Sequence, residues 1–298
     1  MSGHSSVGVR PFTDADAEAV AALYAADEER FYGRSSRMKG SDILVNHHFW
    51  KEAWVYEDAG RIVAGAMYGV HGDAANIRGI VGEKGRGLGT QILERGEQFA
   101  RDSAVVKIQT GASERDDAAR TLFESRGYRE VRRFWEMVIE LTEEPIVPAL
   151  PDELELDELH DGGQRAFYDA LNDAFRDHWE WHPMPYDEWI EIRRDQHHDE
   201  HGPAWFVIRD GDELAAVTRN DANVNGGGYV GAIGVRPAWR GRGLAKVLLY
   251  RSFLEFWQRG TPRITLHVDS QNATGATHLY ERVGMHVDTC GVAFEKPA

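Results

Sequence analysis

The pattern of apolar and polar positions predicts three successive strands in the second half of the chain. Residues 204–210, AWFVIRD, form the first strand, and residues 213–219, ELAAVTR, return beside it after an Asp210-Gly211 pair that suits a hairpin turn. Residues 229–235, YVGAIGV, form a third strand from small apolar side chains. This half of the chain therefore begins with sequential strands.

A helix is predicted after a glycine-rich turn, because apolar side chains recur there at helical spacing until Gly260. These apolar positions are Leu244, Val247, Leu248, Leu254 and Trp257. Residues 264–268, ITLHV, predict the next strand. A second helix is expected over residues 273–282, with Asn272 in its N-cap region and Gly284 at its end.

The first half of the chain repeats this order of strands and helices. Residues 85–89 and 241–245 read GRGLG and GRGLA, and residues 122–128 and 279–285 read LFESRGY and LYERVGM, at offsets of 156 and 157 residues. Two matches in register indicate an internal repeat. The corresponding segments are WVYED, RIVAGAMYG, NIRGIVG, a helix from Gly87, VVKIQT and a helix that ends before Gly127.

A proline-rich segment separates the two copies. Pro145, Pro148 and Pro151 disfavour a continuous helix over residues 141–159, which marks a linker. The sequence therefore predicts two α/β domains, residues 1–147 and 148–298. With 298 residues, 42% of them hydrophobic, the chain is long enough for each domain to bury a core.

The overall charge narrows the range of partners. A formal net charge of −15 repels polyanions, so nucleic acids and anionic membranes are not expected as partners. One segment, residues 236–246, is instead basic, with no acid among its residues. Its cations are Arg236, Arg240, Arg242 and Lys246. A local basic cluster in an acidic protein indicates a small anionic ligand.

Two further features concern the cellular compartment. The chain contains no stretch of about 18 apolar residues, and its start, MSGHSSVGVRPF, lacks the apolar core of a secretory signal, so a cytoplasmic location is expected. Cys290 is the single cysteine, which excludes an intrachain disulfide. It falls in an apparent final strand, where we expect a buried packing residue rather than a reactive thiol.

The turn at residues 240–245, RGRGLA, joins a strand directly to a helix. Glycines allow a ligand to approach the backbone, and the N–H groups and dipole at a helix start favour negative charge, so a pyrophosphate fits there. The G-x-x-x-x-G-K-[ST] pattern of nucleotide hydrolases is absent at both turns. The G-x-G-x-x-G dinucleotide pattern with its downstream acid is not satisfied either.

This turn resembles the pyrophosphate loop of the GNAT superfamily of acetyl-CoA-dependent N-acetyltransferases, [QR]-x-x-G-x-[GA]. Residues 240–245 match every fixed position, residues 230–235 precede them as the expected strand, and residues 269–272 and 279–284 follow at the expected distance. The resemblance implies two tandem GNAT domains, each a mixed, mostly antiparallel sheet flanked by helices. It implies acetyl-CoA as co-substrate and no metal.

The resemblance also implies roles for individual residues. A neutral amine attacks the thioester directly, and Tyr280, at the tyrosine position of the family, protonates the departing thiolate; otherwise Tyr280 is an aromatic residue that packs near the cofactor. The implied cofactor-binding residues are Ile233, Val235, Arg236, Arg240, Gly241, Arg242, Gly243, Leu244, Ala245, Lys246 and Asn272.

The two copies are not equivalent. Lys84 stands where the motif has arginine or glutamine, Phe123 stands where Tyr280 stands, and Arg115 replaces Asn272. Because phenylalanine cannot donate a proton, the first domain is expected to be catalytically degenerate, with the second domain active. The first domain either holds a second acetyl-CoA or has a structural role. The residues of this second cofactor site are Gly85, Arg86, Gly87, Leu88 and Gly89.

A tandem arrangement with an active second half resembles the mycothiol synthase family. In that family a glutamate stands on the strand before the turn, six positions before the valine that matches Val235, and Tyr229 takes that place here. The acceptor and the proton path of the family therefore do not transfer directly. A tandem GNAT acetyltransferase without a specified acceptor is the main prediction, with mycothiol synthase as a named alternative.

Several residues are candidates for binding the acceptor amine. His178 and Glu180 lie in an aromatic and acidic segment, residues 172–181, although such aromatics are also typical of a core. His267 and Asp269 alternate along one strand, so they share a face that holds either the general base or solvent. Tyr229 is the remaining candidate.

A histidine-rich tract at residues 197–201, HHDEH, has the composition of a metal site, but it offers no closed ligand set, and we expect a solvated loop. The main functional prediction is acetyl transfer from acetyl-CoA to the primary amine of a small molecule. The alternatives are mycothiol synthase, a protein N-acetyltransferase, and a non-catalytic acyl-CoA-binding sensor or scaffold. No pattern in the sequence specifies an oligomeric state.

Overall fold

The computed structural model describes residues 7–34, 38–47, 50–197, 202, 204–224, 227–272 and 274–298. The chain forms two compact units. The N-terminal unit comprises Met1–Phe134 and Cys290–Ala298, and the C-terminal unit comprises Trp135–Thr289.

The N-terminal unit contains one mixed sheet. Its strands are β1 (Gly8–Pro11), β2 (Glu52–Asp58), β3 (Arg61–His71), β4 (Ala74–Val81), β5 (Lys107–Ser113) and the final part of the last strand, β12 (His286–Pro297). They lie in the order β1-β2-β3-β4-β5-β12, and β4 and β5 are parallel while their neighbours pair antiparallel. The helices are α1 (Ala17–Tyr32), α2 (Gly40–His47), α3 (Leu88–Asp102) and α4 (Asp117–Ser125), and a short 3₁₀ helix precedes α1 at Asp14–Asp16.

The C-terminal unit repeats this plan. Its strands are the second part of β6 (Arg129–Glu140), then β7 (Glu155–Glu158), β8 (Phe206–Asp210), β9 (Glu213–Val224), β10 (Gly227–Val235) and β11 (Arg263–Asp269). They lie in the order β6-β11-β10-β9-β8-β7, and β10 and β11 are parallel. The helices are α5 (Gln164–Phe175), α6 (Tyr186–His197), α7 (Leu244–Gln258) and α8 (Ala276–Arg282), with a 3₁₀ turn at Pro237–Trp239.

The boundary between the units differs from the predicted cut between residues 147 and 148. Strand β6 begins in the N-terminal unit and ends in the C-terminal unit. Strand β12 begins in the C-terminal unit and ends in the N-terminal unit. The reason is strand pairing, since Cys290–Ala298 includes the residues of β12 that pair with β5. The proline-rich linker therefore lies inside the C-terminal unit, where its end forms β7.

Alternation along the strands explains how helices cover both faces of the sheet. In β8, Phe206 and Ile208 pack in one apolar cluster with Leu244 and Leu248 of α7. Val207 points the other way, into a cluster that contains Phe167, Leu171, Trp189 and Trp205. The predicted class, a mixed and mostly antiparallel sheet flanked by helices in each domain, is confirmed.

The predicted strands and helices are all present, but the start of α8 differs. The helix begins at Ala276, and Gly275 occupies its N-cap with a φ of +76°. The N-cap role of Asn272 was wrong, because its Oδ1 accepts a hydrogen bond from the Thr274 N–H at 2.8 Å and closes a turn before the helix. Cys290 is 3% exposed, as expected of a packing residue.

Candidate active site

Strand β10 separates from its parallel neighbour β11 near its own start, well before the glycine-rich turn. Pairing with β11 is formed at Gly228 and Tyr229, and in the described residues it stops there. Pairing with β9 continues on the other edge of β10 as far as Val235. A register shift between Val230 and Ala232 marks a bulge at this point. One edge of β10, up to the predicted residues Ile233 and Val235, therefore faces the opening between the two parallel strands.

The turn that follows β10 depends on two glycines. Gly241 and Gly243 have φ angles of +79° and +81°, a region that residues with a side chain rarely adopt. Gly243 is the N-cap of α7, and Leu244, 1% exposed, fixes the first turn of that helix in the core, with Ala245 half-buried. The first N–H groups of a 15-residue helix thus converge on the turn and provide donors for an anion.

The arginines of this segment have acidic partners elsewhere in the unit. Arg236 donates to Asp173 at 2.8 Å, and Arg240 donates to Asp177 at 2.9 Å. Arg242 pairs with Glu153. Lys246 is exposed, with its Nζ 5.7 Å from the centre of the Tyr250 ring. Three of the four cations in this basic segment therefore have acidic partners in the structure.

Tyr280 lies on α8 and is 5% exposed. Its ring packs in an apolar cluster with Val230, Phe253 and Val268. Burial raises the pKa of Tyr280, and the nearby Tyr229 raises it further. The phenol therefore keeps its proton at neutral pH, as a proton donor must.

A band of polar side chains crosses the sheet of the C-terminal unit on the face opposite that cluster. Tyr229 Oη lies 3.0 Å from Nδ1 of His267, and Nε2 of His267 lies 3.5 Å from Oε2 of Glu136. On β9, Arg219 donates to Asp221 at 3.0 Å, beside the bulge. The structure thus brings together Tyr229 and His267, which the sequence predicted, with three residues that it did not.

Glu136 is the least expected member of this band. It is 7% exposed and stands in β6, between apolar neighbours on either side in the chain. A carboxylate within the strand sequence FWEMVIE is a sequence signal of a functional residue, because charged side chains are rarely buried. The sequence analysis missed Glu136 because this residue falls in the first copy of the repeat.

The remaining acceptor candidates lie near the end of α5 and the end of β11. The His178 ring contacts Phe175, with centroids 4.3 Å apart, and burial together with Arg240 lowers the pKa of His178. Asp269 also acts electrostatically on His178, so the two are neighbours, and its carboxylate accepts from the Gln271 N–H at 2.9 Å. Glu180, the second-to-last residue of the segment, has a φ of +53°.

The histidine-rich tract falls mainly outside the described residues, which end at His197 on its N-terminal side and exclude His201. Within the part of the chain that the structure describes, no group of three or more metal-ligating side chains converges. The described helices include none that is long and apolar enough to cross a bilayer.

The N-terminal unit contains a cavity of about 460 Å³ at the corresponding place. The cavity lies where the ends of β4 and β5 meet the turn before α3, and its walls include α1. Gly85 and Gly87 repeat the turn conformation, with φ angles of +83° and +74°. Gly87 is the N-cap of α3 and is followed by Leu88, which is 1% exposed, and by Gly89.

Side chains around this cavity confirm how the copies differ. Lys84 Nζ lies 2.5 Å from the carboxylate of Asp116, and Arg86 donates to Asp58 at 2.6 Å. Phe123 is 7% exposed and lines the cavity where the C-terminal unit has Tyr280. The N-terminal turn therefore keeps the backbone geometry but lacks the phenol.

Sequence relatives agree with these features. A mycothiol acetyltransferase from Thermobispora bispora is 29% identical over 226 residues, which cover 72% of this chain and 73% of the relative. A mycothiol acetyltransferase from Thermobifida fusca is 26% identical over 259 residues, which cover 79% of each chain.

Solved structures share the tandem arrangement. A GCN5-related N-acetyltransferase from Sphaerobacter thermophilus has a TM-score of 0.82 and 29% identity, covering 98% of this chain and 95% of its own. A tandem GNAT protein from the clavulanic acid biosynthesis pathway has a TM-score of 0.77 and 16% identity, covering 98% of each chain, and shares the fold. The model of the acetyltransferase (GNAT) family matches residues 18–128 and again residues 165–285. The chain is therefore an acyltransferase that belongs to the GNAT acetyltransferase family and carries two copies of its domain.

Proposed function

We propose that the protein transfers the acetyl group of acetyl-CoA to a primary amine of a small molecule, in the C-terminal unit. The observation that carries this proposal is the separation of β10 from β11 after Tyr229, along the part of β10 that leads to the glycine turn. The open edge of β10 suits the amide-rich arm of the cofactor, and the N–H groups at the start of α7 suit its pyrophosphate.

The chemistry follows from the groups around this opening. Backbone N–H groups of β10 near its bulge stabilise the oxyanion that forms when the amine attacks the thioester, and such preorganised donors contribute about 3 kcal/mol each. Tyr280 protonates the departing thiolate, since its raised pKa keeps the phenol in the acid form. The transfer proceeds without an acyl-enzyme.

The N-terminal unit holds a second acetyl-CoA and does not transfer its acetyl group. The repeated turn at Gly85–Gly87 and the cavity beside it support binding, while Phe123 offers no proton for a leaving thiolate.

The acceptor is proposed from the polar band rather than from the fold. Asp221 and the buried Glu136 give this face of the sheet negative charge that suits an ammonium group, and Tyr229 and Arg219 offer polar atoms for direct contact. Desacetylmycothiol is the second candidate, favoured by the names of the relatives. A protein N-terminus is a further alternative, and a cytoplasmic location stays a prediction.

The proposal is tested by measuring release of the CoA thiol from acetyl-CoA in the presence of individual amines. The panel comprises glucosamine, desacetylmycothiol, a set of amino acids and a short peptide with a free N-terminus. Stoichiometric thiol release and acetyl-amine formation with a small amine are expected. Transfer to the peptide alone would favour protein acetylation, and no transfer to any amine would contradict the proposal.

A further inference from the structure

Three side chains in the C-terminal unit form a chain of polar contacts that leads from the open strand to a buried carboxylate. Tyr229 lies on β10, His267 on β11 and Glu136 on β6. Three adjacent strands therefore contribute one side chain each. The contacts measure 3.0 Å from Tyr229 Oη to His267 Nδ1 and 3.5 Å from His267 Nε2 to Glu136 Oε2.

The exposure of these side chains differs in a way that suits proton transfer. The Glu136 side chain is 8% exposed, whereas that of His267 is 50% exposed. A buried carboxylate beside an imidazole favours Nε2–H, which points to the carboxylate and leaves Nδ1 as a hydrogen-bond acceptor. Tyr229 then donates its phenolic proton to Nδ1, and its oxygen lone pairs remain available toward the acceptor side.

We propose that Tyr229, His267 and Glu136 form a relay that removes the proton from the acceptor ammonium, with Glu136 as the positioning residue. This inference rests on the proposed function and adds its missing base. It also explains how the site works with a tyrosine at position 229, because Glu136 supplies the carboxylate from another strand.

The relay balances in protons and charge. The ammonium gives one proton to Tyr229 Oη, while the phenolic proton moves to His267 Nδ1. The products are a neutral amine, an unchanged phenol and an imidazolium paired with the Glu136 carboxylate. The exposed edge of His267 then returns the proton to water, and the amine is free to attack the thioester.

Other charged groups on the same sheet face define the electrostatic setting of His267. Asp269 lies two residues along β11, Glu136 is on β6, Tyr229 is on β10, and the Arg219–Asp221 pair is on β9. Arg219 and Asp221 pair with each other, and the Glu136 carboxylate lies 3.5 Å from Nε2 of the imidazole.

The first test follows the NMR titration of His267, assigned by loss of its signal in His267→Gln. Glu136→Gln is compared with Glu140→Gln, which removes an exposed carboxylate from the same strand. Loss of an adjacent opposite charge should lower the pKa of His267 by about one unit in Glu136→Gln. Glu140→Gln should leave the titration unchanged, and equal titration of both variants would overturn the relay.

The second test uses the rate of acetyl transfer against pH, with the amine that the wild-type protein acetylates. Glu136→Gln should lower kcat/KM by about 10- to 100-fold and shift its rise to lower pH, as expected when a group that orients a catalytic histidine is lost. Tyr229→Phe should lower kcat about 100-fold or more, with Tyr250→Phe as the matched control.

Acetyl-CoA affinity separates this proposal from the proposed function. Both Glu136→Gln and Tyr229→Phe should bind acetyl-CoA within twofold of wild type, since neither side chain belongs to the turn. If Glu136→Gln does not fold, Tyr229→Phe still decides the question. An active wild type with full activity in Tyr229→Phe would overturn the relay alone, whereas an inactive wild type would overturn the proposed function.

Discussion

One oxygen atom separates Tyr280 from Phe123, which occupies the same place in the other unit. We expect Tyr280→Phe to lower turnover by about 100-fold or more, because the thiolate then leaves without a proton donor. Acetyl-CoA affinity should stay nearly unchanged, since a phenylalanine ring fills the same apolar cluster. Steady-state kinetics and calorimetry test this, with Tyr250→Phe as the control; a large loss of affinity with intact turnover would reverse the assignment.

The pH dependence of turnover follows from the same side chain. Burial raises the pKa of Tyr280 above its usual value, so the active, protonated form persists to higher pH than an exposed tyrosine would allow. Turnover measured at saturating substrates should therefore not decline between about pH 8 and 10. A decline centred near pH 9 would contradict the role of Tyr280 as the acid.

At the scale of elements, a buried ionic cluster holds β12 in the N-terminal unit. Glu97 of α3 accepts from Lys296 of β12 at 2.6 Å and from Arg126 at 2.8 Å. Burial alone would raise the pKa of Glu97, but these two hydrogen bonds outweigh it and hold the pKa below its usual value. The carboxylate is therefore ionised and stabilising at neutral pH.

Glu97→Gln should lower the free energy of unfolding by about 3 kcal/mol at pH 7, because two partly buried cations lose their partner. The pKa of Glu97 is lowered in the folded state, so its contribution is present above the usual carboxyl pKa and is lost as pH falls. The difference from wild type should narrow between about pH 6 and 3 in urea unfolding. Glu94→Gln, on the same helix but exposed, should change stability far less; an equal loss would argue against the cluster.

Local signals account for the part of the fold that the sequence predicted. Gly243 and Leu244 specify a turn and a helix start through backbone conformation and burial, and the period-two pattern around Phe206 specifies a strand. Asn272 was misplaced because its side chain closes a turn instead of capping the helix. Both outcomes depend on a few neighbouring residues.

Long-range pairing accounts for what the sequence did not predict. Asp177 and Glu153, which lie in loops, pair with Arg240 and Arg242, and Glu136 contacts His267 from strand β6. The division of β6 and β12 between the two units likewise depends on which strands pair with them. Motif spacing carries no information on such contacts, so the turn was predictable and its charge balance was not.

At the scale of the whole molecule, duplication has left two glycine turns of the same conformation and one phenol. Gly87→Trp should remove one acetyl-CoA site and leave one, because bulk at a positive φ disrupts the turn before α3. The double variant with Gly243→Trp should bind none. Site counts from calorimetry decide this, and two sites retained in Gly87→Trp would exclude the N-terminal turn as a binding site.

The most direct measurement is a calorimetric titration of acetyl-CoA into wild type, Gly243→Trp and Gly260→Trp. Gly260 also has a positive φ, +71°, with open space around it, but it lies beyond the other end of α7 and so controls for backbone strain and bulk. We predict two sites in wild type and in Gly260→Trp, and one site in Gly243→Trp. An unchanged number of sites in Gly243→Trp, or no binding to wild type, would contradict the assignment of the C-terminal turn as the acetyl-CoA site.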